Sequence, residues 1–181
     1  MTVLLTVAVA HEAVHLPDRL PVLLTGIGKV NAAMTVAAAL ARPGTRPDLV
    51  VNLGTAGALH GGMTGTHEVG VVVQHDLDSA LLEQLTGSRY GPPIHLSDGP
   101  TLATGDVFVT DPAVRDRLAQ SADLVDMEGY AVAAACQAAG IPVRLVKHVS
   151  DSADAGARTS WVRTVEDSSR ALGDWVRAHL P

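Results

Sequence analysis

Runs of apolar residues alternate along the chain with segments of helix-forming composition. Residues 3–10 form a continuous apolar run rich in β-branched side chains, typical of a strand buried on both faces. Similar runs predict strands at 19–24, 49–53, 69–74 and 142–149. Ala-rich or amphipathic segments predict helices at 31–42, 110–119, 126–139 and 159–180. The alternation predicts an α/β fold with three layers, α/β/α, and a mostly parallel central sheet.

Glycine-containing segments lie between several of these predicted strands and helices. Gly26-Ile27-Gly28 and the Gly-Thr-Ala-Gly string at 54–57 are expected to be turns where the backbone approaches a neighbour closely. Residues 86–100 are rich in Gly, Pro and Ser and are expected to form a loop. Neither glycine string matches the dinucleotide or P-loop fingerprints, so neither predicts that kind of site.

Composition narrows the class of protein. The length of 181 residues predicts a single domain over 1–181. A formal net charge of −6 and an aromatic content of 3% argue against a nucleic-acid surface. The one cysteine, Cys136, favours a reduced, cytoplasmic location. The first lysine or arginine is Arg19, and no apolar run reaches the roughly 20 residues of a membrane span, so neither a signal peptide nor a membrane partner is expected.

The string His11-Glu12-Ala13-Val14-His15 matches the H-E-x-x-H pattern of zinc peptidases. That pattern requires a helix, because only on a helix do the two histidines share one face. Here the string directly follows a predicted strand, and Pro17 blocks continuation of a helix. We therefore expect no metal site and partly exposed histidines, and a zinc hydrolase stays only as an alternative.

Polar side chains follow several predicted strands. Glu12, Thr55 and Asp151 each come just after an apolar run, where ligands bind in open α/β sheets. These side chains are therefore expected to converge on a pocket. Asp126 and Glu128 open an Ala-rich helix, where a carboxylate either favours the helix dipole or serves a site. The residues alone leave both explanations open.

Five strings occur in a characteristic order: GIGKVNAA (26–33), VVNLGTAGAL (50–59), ATGDVFV (103–109), DMEGYAVA (126–133) and VKHVSDSAD (146–154). Together they resemble the purine nucleoside phosphorylase family, and within it the methylthioadenosine/S-adenosylhomocysteine nucleosidases. The resemblance covers nearly all of 3–155. Between Gly57 and Gly105 the chain is shorter than usual for these nucleosidases, in the region that helps build the pocket for the 5′ substituent and the dimer contact.

The resemblance implies two catalytic residues. Asp151 would donate a proton or hydrogen bond to purine N7, and Glu12 would activate the attacking water. For Asp151 to act as an acid its pKa must be raised, and burial beside Val149 and Ala153 is expected to raise it. Asp126 stands where the family has a glutamate, and its shorter side chain is expected to fall short of the substrate.

The same resemblance implies a set of substrate-binding residues. Thr55 and Gly57 would line the position of the sugar and the water, and Met127 and Glu128 would contact the sugar. Phe108 and Val109 would contact the base. Ser150, beside Asp151 at the end of the last strand, is also expected to bind the substrate.

The implied reaction is hydrolysis of the N-glycosidic bond of a 5′-modified purine nucleoside, without metal or organic cofactor. Its oxocarbenium-like transition state requires an acid at the leaving base and a base at the water. Phosphorylases of the family carry a Gly-Asp-Pro-x-Arg string after the first strand and an arginine at the position of Asn52. Both are absent here, so phosphate lacks a bidentate partner and water is the expected nucleophile.

The alternatives are a futalosine-type hydrolase, whose substrate carries a bulky carboxylated 5′ group, a purine nucleoside phosphorylase, and a non-catalytic nucleoside-binding protein. The resemblance also implies a homodimer.

Overall fold

The protein is organised around one sheet of nine strands in the computed structural model, which describes residues 1–44 and 46–181. The strands are β1 (Val3–Val7), β2 (Val22–Leu24), β3 (Leu49–Ala58), β4 (Thr66–Glu68), β5 (Val71–Gln74), β6 (Ile94–His95), β7 (Thr101–Thr104), β8 (Leu124–Asp126) and β9 (Val143–Asp151). The helices are α1 (Ala10–Ala13), α2 (Lys29–Leu40), α3 (Ser79–Thr86), α4 (Pro112–Leu118), α5 (Gly129–Ala139) and α6 (Ala157–His179).

The strand order is β2-β1-β3-β8-β7-β5-β6, with β9 paired to β3 and β4. Parallel pairing joins β1 to β2 and β3, β3 to β9, and β7 to β5 and β8. Only β3–β8, β4–β9 and β5–β6 are antiparallel among the described pairs. The mostly parallel sheet is therefore confirmed, and the carboxyl ends of β1, β3 and β9 lie at one edge.

Helices cover both faces of the sheet, which confirms the three layers. On one face α2 and α5 pack over Val50, through side chains that include Val36 and Val132. On the other face α6 packs Leu172 and Val176 against the odd-numbered positions of β1. Two residues of the predicted amphipathic stripe of the last helix, Leu172 and Val176, are thus buried. Successive residues of β1 face opposite layers, as a pleated strand requires.

The turn predicted at 54–57 is wrong, because β3 continues through this string to Ala58. The glycines instead permit side chains of β9 to approach. A Cβ on Gly54 would lie 3.3 Å from Lys147 Nζ, and one on Gly57 would lie 3.0 Å from Asp151 Oδ1. The close approach expected of these glycines is therefore present without a turn. At Gly26 and Gly28 the predicted turn does occur, with φ of +79° and +91°.

Several predicted boundaries shift. The first strand ends at Val7 and is followed by the single helical turn α1. The helix predicted from Asp126 begins at Gly129, because 124–126 is strand β8. No sequence pattern indicated α3 or the short strands β4, β6, β7 and β8. No helix within the described ranges is long and apolar enough to cross a bilayer.

Candidate active site

A cavity of about 320 Å³ opens among residues that end or follow β1, β3, β8 and β9. The polar residues that follow these strands thus converge, as their positions at the strand ends suggested. All the residues that the sequence assigns to the site line this cavity: Glu12, Thr55, Gly57, Phe108, Val109, Met127, Glu128, Ser150 and Asp151.

Glu12 is buried at the wall of the cavity, on the short helix that follows β1. Its Oε1 accepts hydrogen bonds from the backbone N–H of Thr55 at 2.8 Å and from the Thr55 hydroxyl at 2.9 Å. Its Oε2 is also buried but has no hydrogen-bond partner among the described residues. One carboxylate oxygen is therefore fixed by β3, and the other can accept a hydrogen bond from a ligand or water.

His11 and His15, the two histidines of the H-E-x-x-H string, do not form a site with Glu12. His11 is exposed, and His15 Nε2 lies 3.4 Å from Glu166 Oε1 on α6. The helix α1 ends at Ala13, so the H-E-x-x-H string lacks the two-turn helix that would bring its histidines together. In residues 1–44 and 46–181 no group of three or more His, Cys, Asp or Glu side chains is arranged to hold a metal ion.

Glu128 lies at the N-terminus of α5 but does not cap that helix. Its side chain makes no capping bond, and Oε1 instead accepts from the backbone N–H of Gly28 at 2.8 Å. Burial, and then the charge of Asp126, raise the pKa of Glu128 to about 7. The sequence left two explanations open for Glu128, a favourable interaction with the helix dipole and a role in a site. The helix dipole therefore does not account for the position of Glu128.

Asp126 has both carboxylate oxygens engaged within the protein. Oδ1 accepts from the Thr104 hydroxyl at 2.6 Å, and Oδ2 accepts from the Gly129 N–H and the Lys147 ammonium, each at 2.8 Å. Asp126 lines the cavity, but these bonds hold it as an internal counterion.

Lys147 is a residue of the site that the sequence reasoning missed. It is 1% exposed and lines the cavity. Burial acts to lower its pKa, but the charges of Asp126 and Glu128 outweigh burial and raise the pKa, which keeps the ammonium charged. The available signal was a lysine in the middle of a predicted buried strand, since a buried lysine needs an anionic partner.

Asp151 ends β9 next to Ser150, which is the extra residue of a bulge in β9 opposite Ala56 and Gly57 of β3. Its Oδ2 accepts from the Ser150 hydroxyl at 2.8 Å and Oδ1 from the Ala153 N–H at 2.9 Å. Burial raises the pKa of Asp151, although these two hydrogen bonds act in the opposite direction. The expected effect of burial on this carboxyl is therefore confirmed.

The apolar side of the cavity comes from the segment after β7 and from the start of α5. Phe108 is 36% exposed, so its ring is accessible, whereas Val109 is buried against Ala103 and Val125. Met127 separates the buried Asp126 and Glu128 and lines the same space. A planar ring and a thioether beside hydrogen-bonding groups suit an apolar ring system with polar edges.

Three residues of α6, which the sequence reasoning assigned to no site, also line the cavity: Arg158, Trp161 and Val162. Trp161 Nε1 donates a hydrogen bond to the Thr55 hydroxyl oxygen at 2.9 Å. Arg158 lies on the preceding turn and is exposed. The amphipathic pattern placed Trp161 on the buried side of the helix, but it could not indicate which strand the ring meets.

Comparison with known proteins shows which family this chain resembles in sequence. Residues 64–178 match the phosphorylase superfamily. The chain is 31% identical to the 5′-methylthioadenosine/S-adenosylhomocysteine nucleosidase of Geobacillus sp. (strain WCH70), over 85% of this chain and 77% of that protein.

Solved structures show the same fold. A mutant of the Helicobacter pylori 5′-methylthioadenosine/S-adenosylhomocysteine nucleosidase, with 5′-methylthioadenosine in its active site, superposes with a TM-score of 0.86 at 21% identity, covering 98% of this chain and 96% of that one. A mutant futalosine hydrolase of Helicobacter pylori gives a TM-score of 0.86 at 20% identity, with coverage of 98% and 97%.

Proposed function

This chain belongs to the phosphorylase superfamily, and we propose that it hydrolyses the N-glycosidic bond of methylthioadenosine- and S-adenosylhomocysteine-type nucleosides to free purine and a 5-substituted ribose. One observation carries the proposal. Asp151, a carboxyl whose pKa is raised, lines the same cavity as Glu12 Oε2, a buried carboxylate oxygen that has no partner among the described residues. An acid and a base are what hydrolysis of a glycosidic bond needs.

Asp151 is the acid in this proposal. A carboxyl group is useful as a proton donor only if it holds its proton near the working pH, and burial shifts Asp151 in that direction. The Ser150 hydroxyl and Ala153 N–H fix both of its oxygens, so the carboxyl is oriented before substrate arrives. Protonation of purine N7 would make the base a better leaving group.

Glu12 is the base that accepts a proton from water. Its Oε1 already accepts two hydrogen bonds, which leaves Oε2 for the water. Lys147 interacts electrostatically with Glu12 and is paired with Asp126 at 2.8 Å.

Glu128, Met127, Phe108 and Val109 bind the substrate in this proposal. Glu128 is held by the Gly28 N–H through Oε1, which leaves its second oxygen for the ribose hydroxyls. The Phe108 ring is accessible for stacking on the purine, and Met127 supplies apolar contact to the sugar. Hydroxyl contacts of this kind strengthen as the sugar approaches the oxocarbenium state.

Water is favoured over phosphate as the nucleophile by the charges of the cavity. Its lining includes four carboxyl groups, those of Glu12, Asp126, Glu128 and Asp151. Lys147, which is buried, is already paired with Asp126 at 2.8 Å. A phosphate dianion would therefore find the buried ammonium already engaged by a carboxylate, whereas a water molecule needs no cation.

Product analysis tests the proposal. The purified protein is incubated with 5′-methylthioadenosine in phosphate-free buffer and in phosphate buffer, and the products are separated by chromatography. We expect adenine and free methylthioribose at equal rates in both buffers, and no turnover by the Glu12→Gln variant. Formation of a sugar 1-phosphate that depends on phosphate would instead identify a phosphorylase.

Arg158 favours a second candidate, the futalosine-type hydrolase. This exposed guanidinium lines the cavity and takes part in none of the ion pairs of the described residues, so it can meet a carboxylate on the 5′ substituent. We expect Arg158→Gln to lower kcat/KM about threefold to tenfold for carboxylated nucleosides and not for methylthioadenosine. Arg163→Gln, farther along α6, is the control. Release of hypoxanthine from futalosine, faster than adenine from methylthioadenosine, would favour this candidate.

We also propose a homodimer in the cytoplasm. Val30 and Met34, one turn apart on α2, are each 67% exposed, and the nearby Ile27 is exposed at the cavity. An exposed apolar stripe beside a site supports burial against a second copy of the chain. Cys136 is buried and free, which is compatible with a reducing compartment.

A further inference from the structure

The indole of Trp161 contacts the candidate base through one intermediate residue. Its Nε1 lies 2.9 Å from the Thr55 hydroxyl oxygen, which in turn lies 2.9 Å from Glu12 Oε1. The chain of contacts joins α6, β3 and α1, and all of these residues line the cavity.

The direction of each hydrogen bond follows from the chemistry of the groups. An indole N–H can only donate, so the Thr55 oxygen must accept from Trp161. An ionised carboxylate can only accept, so the single hydroxyl proton of Thr55 must point to Glu12. Trp161 thus occupies a lone pair of the hydroxyl and disfavours the rotations in which the proton would point elsewhere.

We propose that Trp161 is a positioning residue that sets the direction of the Thr55 hydroxyl and so presents Oε2 of Glu12 to the nucleophilic water. This inference rests on the proposed function of Glu12 as the base. With the Thr55 N–H and hydroxyl both donating to Oε1, the carboxylate cannot rotate without losing two bonds. The buried Oε2 is then the oxygen left to accept the proton of water.

Other charged groups around Glu12 act on the same carboxylate. Lys147 of β9 and Glu128 at the start of α5 both interact electrostatically with Glu12. On its own helix and the following turn the neighbours are His11 and His15, and from α6 the cavity also receives Arg158. Because none of these groups is altered by a change of the indole N–H, that change isolates the contribution of Trp161.

Trp161→Phe removes the N–H and keeps an aromatic ring. Loss of the net free energy of one hydrogen bond, that from Trp161 to Thr55, corresponds to a fall in kcat of about twofold to tenfold. We expect this fall with KM changed less than about twofold, since Trp161 acts on the base rather than on substrate affinity.

Benzothienylalanine at position 161 is the second variant, because its sulfur replaces the N–H in a ring of nearly the same shape. It should give the same fall in kcat with KM changed less than about twofold, even if Trp161→Phe does not fold. Trp175→Phe is the matched control: Trp175 lies on the same helix but stacks on His179 and packs under Arg144. That variant should keep the wild-type kcat and KM.

Thr55→Val completes a double-mutant cycle. If Trp161 acts through the Thr55 hydroxyl, removal of the N–H in the Thr55→Val background should not lower kcat further. Equal falls in kcat for Trp161→Phe in both backgrounds, or a wild-type kcat for the benzothienyl variant, would overturn the inference. An inactive wild-type protein would instead overturn the proposed function itself, so the two failures are distinguishable.

Discussion

At the scale of single residues, four carboxyl groups in one cavity are distinguished by their hydrogen bonds. Asp126 is neutralised by Lys147, and Glu12 has one fixed oxygen and one oxygen without a partner among the described residues. Burial raises the pKa of both Glu128 and Asp151. The sequence identified these residues, but it could not distinguish their environments, because Thr55, Gly28 and Lys147, which contact Glu12, Glu128 and Asp126, lie far from them along the chain.

The raised pKa of Glu128 predicts a specific dependence of stability on pH. The folded protein keeps this proton up to about pH 7, whereas the unfolded chain releases it near the ordinary pKa of 4.5. Between those values the unfolded state binds fewer protons, so this group makes the free energy of unfolding fall as pH rises. Across that window the loss is about 3 kcal/mol, from the shift and 1.36 kcal/mol per pKa unit.

Glu128→Gln cannot titrate and should not show that loss. Urea denaturation of both proteins at several pH values between 4.5 and 7 measures the difference directly. We expect the wild type to lose stability relative to Glu128→Gln as pH rises. Parallel curves for the two proteins across this range would show that Glu128 does not titrate in it.

At the scale of elements, apolar runs predicted the long strands and the helices better than the short strands. The run at 49–53 identified β3, but the glycines after it were interpreted as a turn although the strand continues to Ala58. Glycine is compatible with both conformations, and only the positions of Lys147 and Asp151 on β9 explain why it is needed. The two residues of β6 and the four of β7 carry too little periodicity to be recognised.

Gly57→Ala tests the close approach of β3 and β9. The added Cβ would lie 3.0 Å from Asp151 Oδ1 and 3.1 Å from both Ala153 Cβ and Val125 Cγ1, so the acid must move. Misplacement of a reacting group by a fraction of an ångström should lower kcat about 10- to 100-fold. Gly61→Ala is the control, because no heavy atom lies within 4 Å of its added Cβ. Equal turnover by the two variants in a steady-state assay would contradict the packing argument.

At the scale of the whole molecule, the alternation of strands and helices was enough to predict the three-layer fold. It could not supply the contacts that link distant segments, such as Trp161 with Thr55, which are 106 residues apart. Lys147 was missed for the same reason, since its partner Asp126 is on another strand. That residues 1–181 form one domain stays a prediction.

The proposed homodimer can be checked by sedimentation equilibrium. We expect the wild type to have twice the chain mass of 18.7 kDa. Met34→Glu places a charge in the apolar stripe of α2 and should shift the equilibrium towards the monomer, because an unpaired charge is costly to bury. Leu85→Glu, at a comparably exposed position on α3, should leave the mass unchanged. A monomeric wild type would contradict the proposal.

The most direct test of the central claim is the turnover of Asp151→Asn on 5′-methylthioadenosine. The amide keeps the shape of the side chain and can still hydrogen-bond purine N7, but it cannot deliver a proton. Removal of a positioned acid should lower kcat by roughly 10²- to 10⁴-fold, with little change in the unfolding midpoint. Adenine release by Asp151→Asn at a rate near that of the wild type would contradict the assignment of Asp151 as the acid.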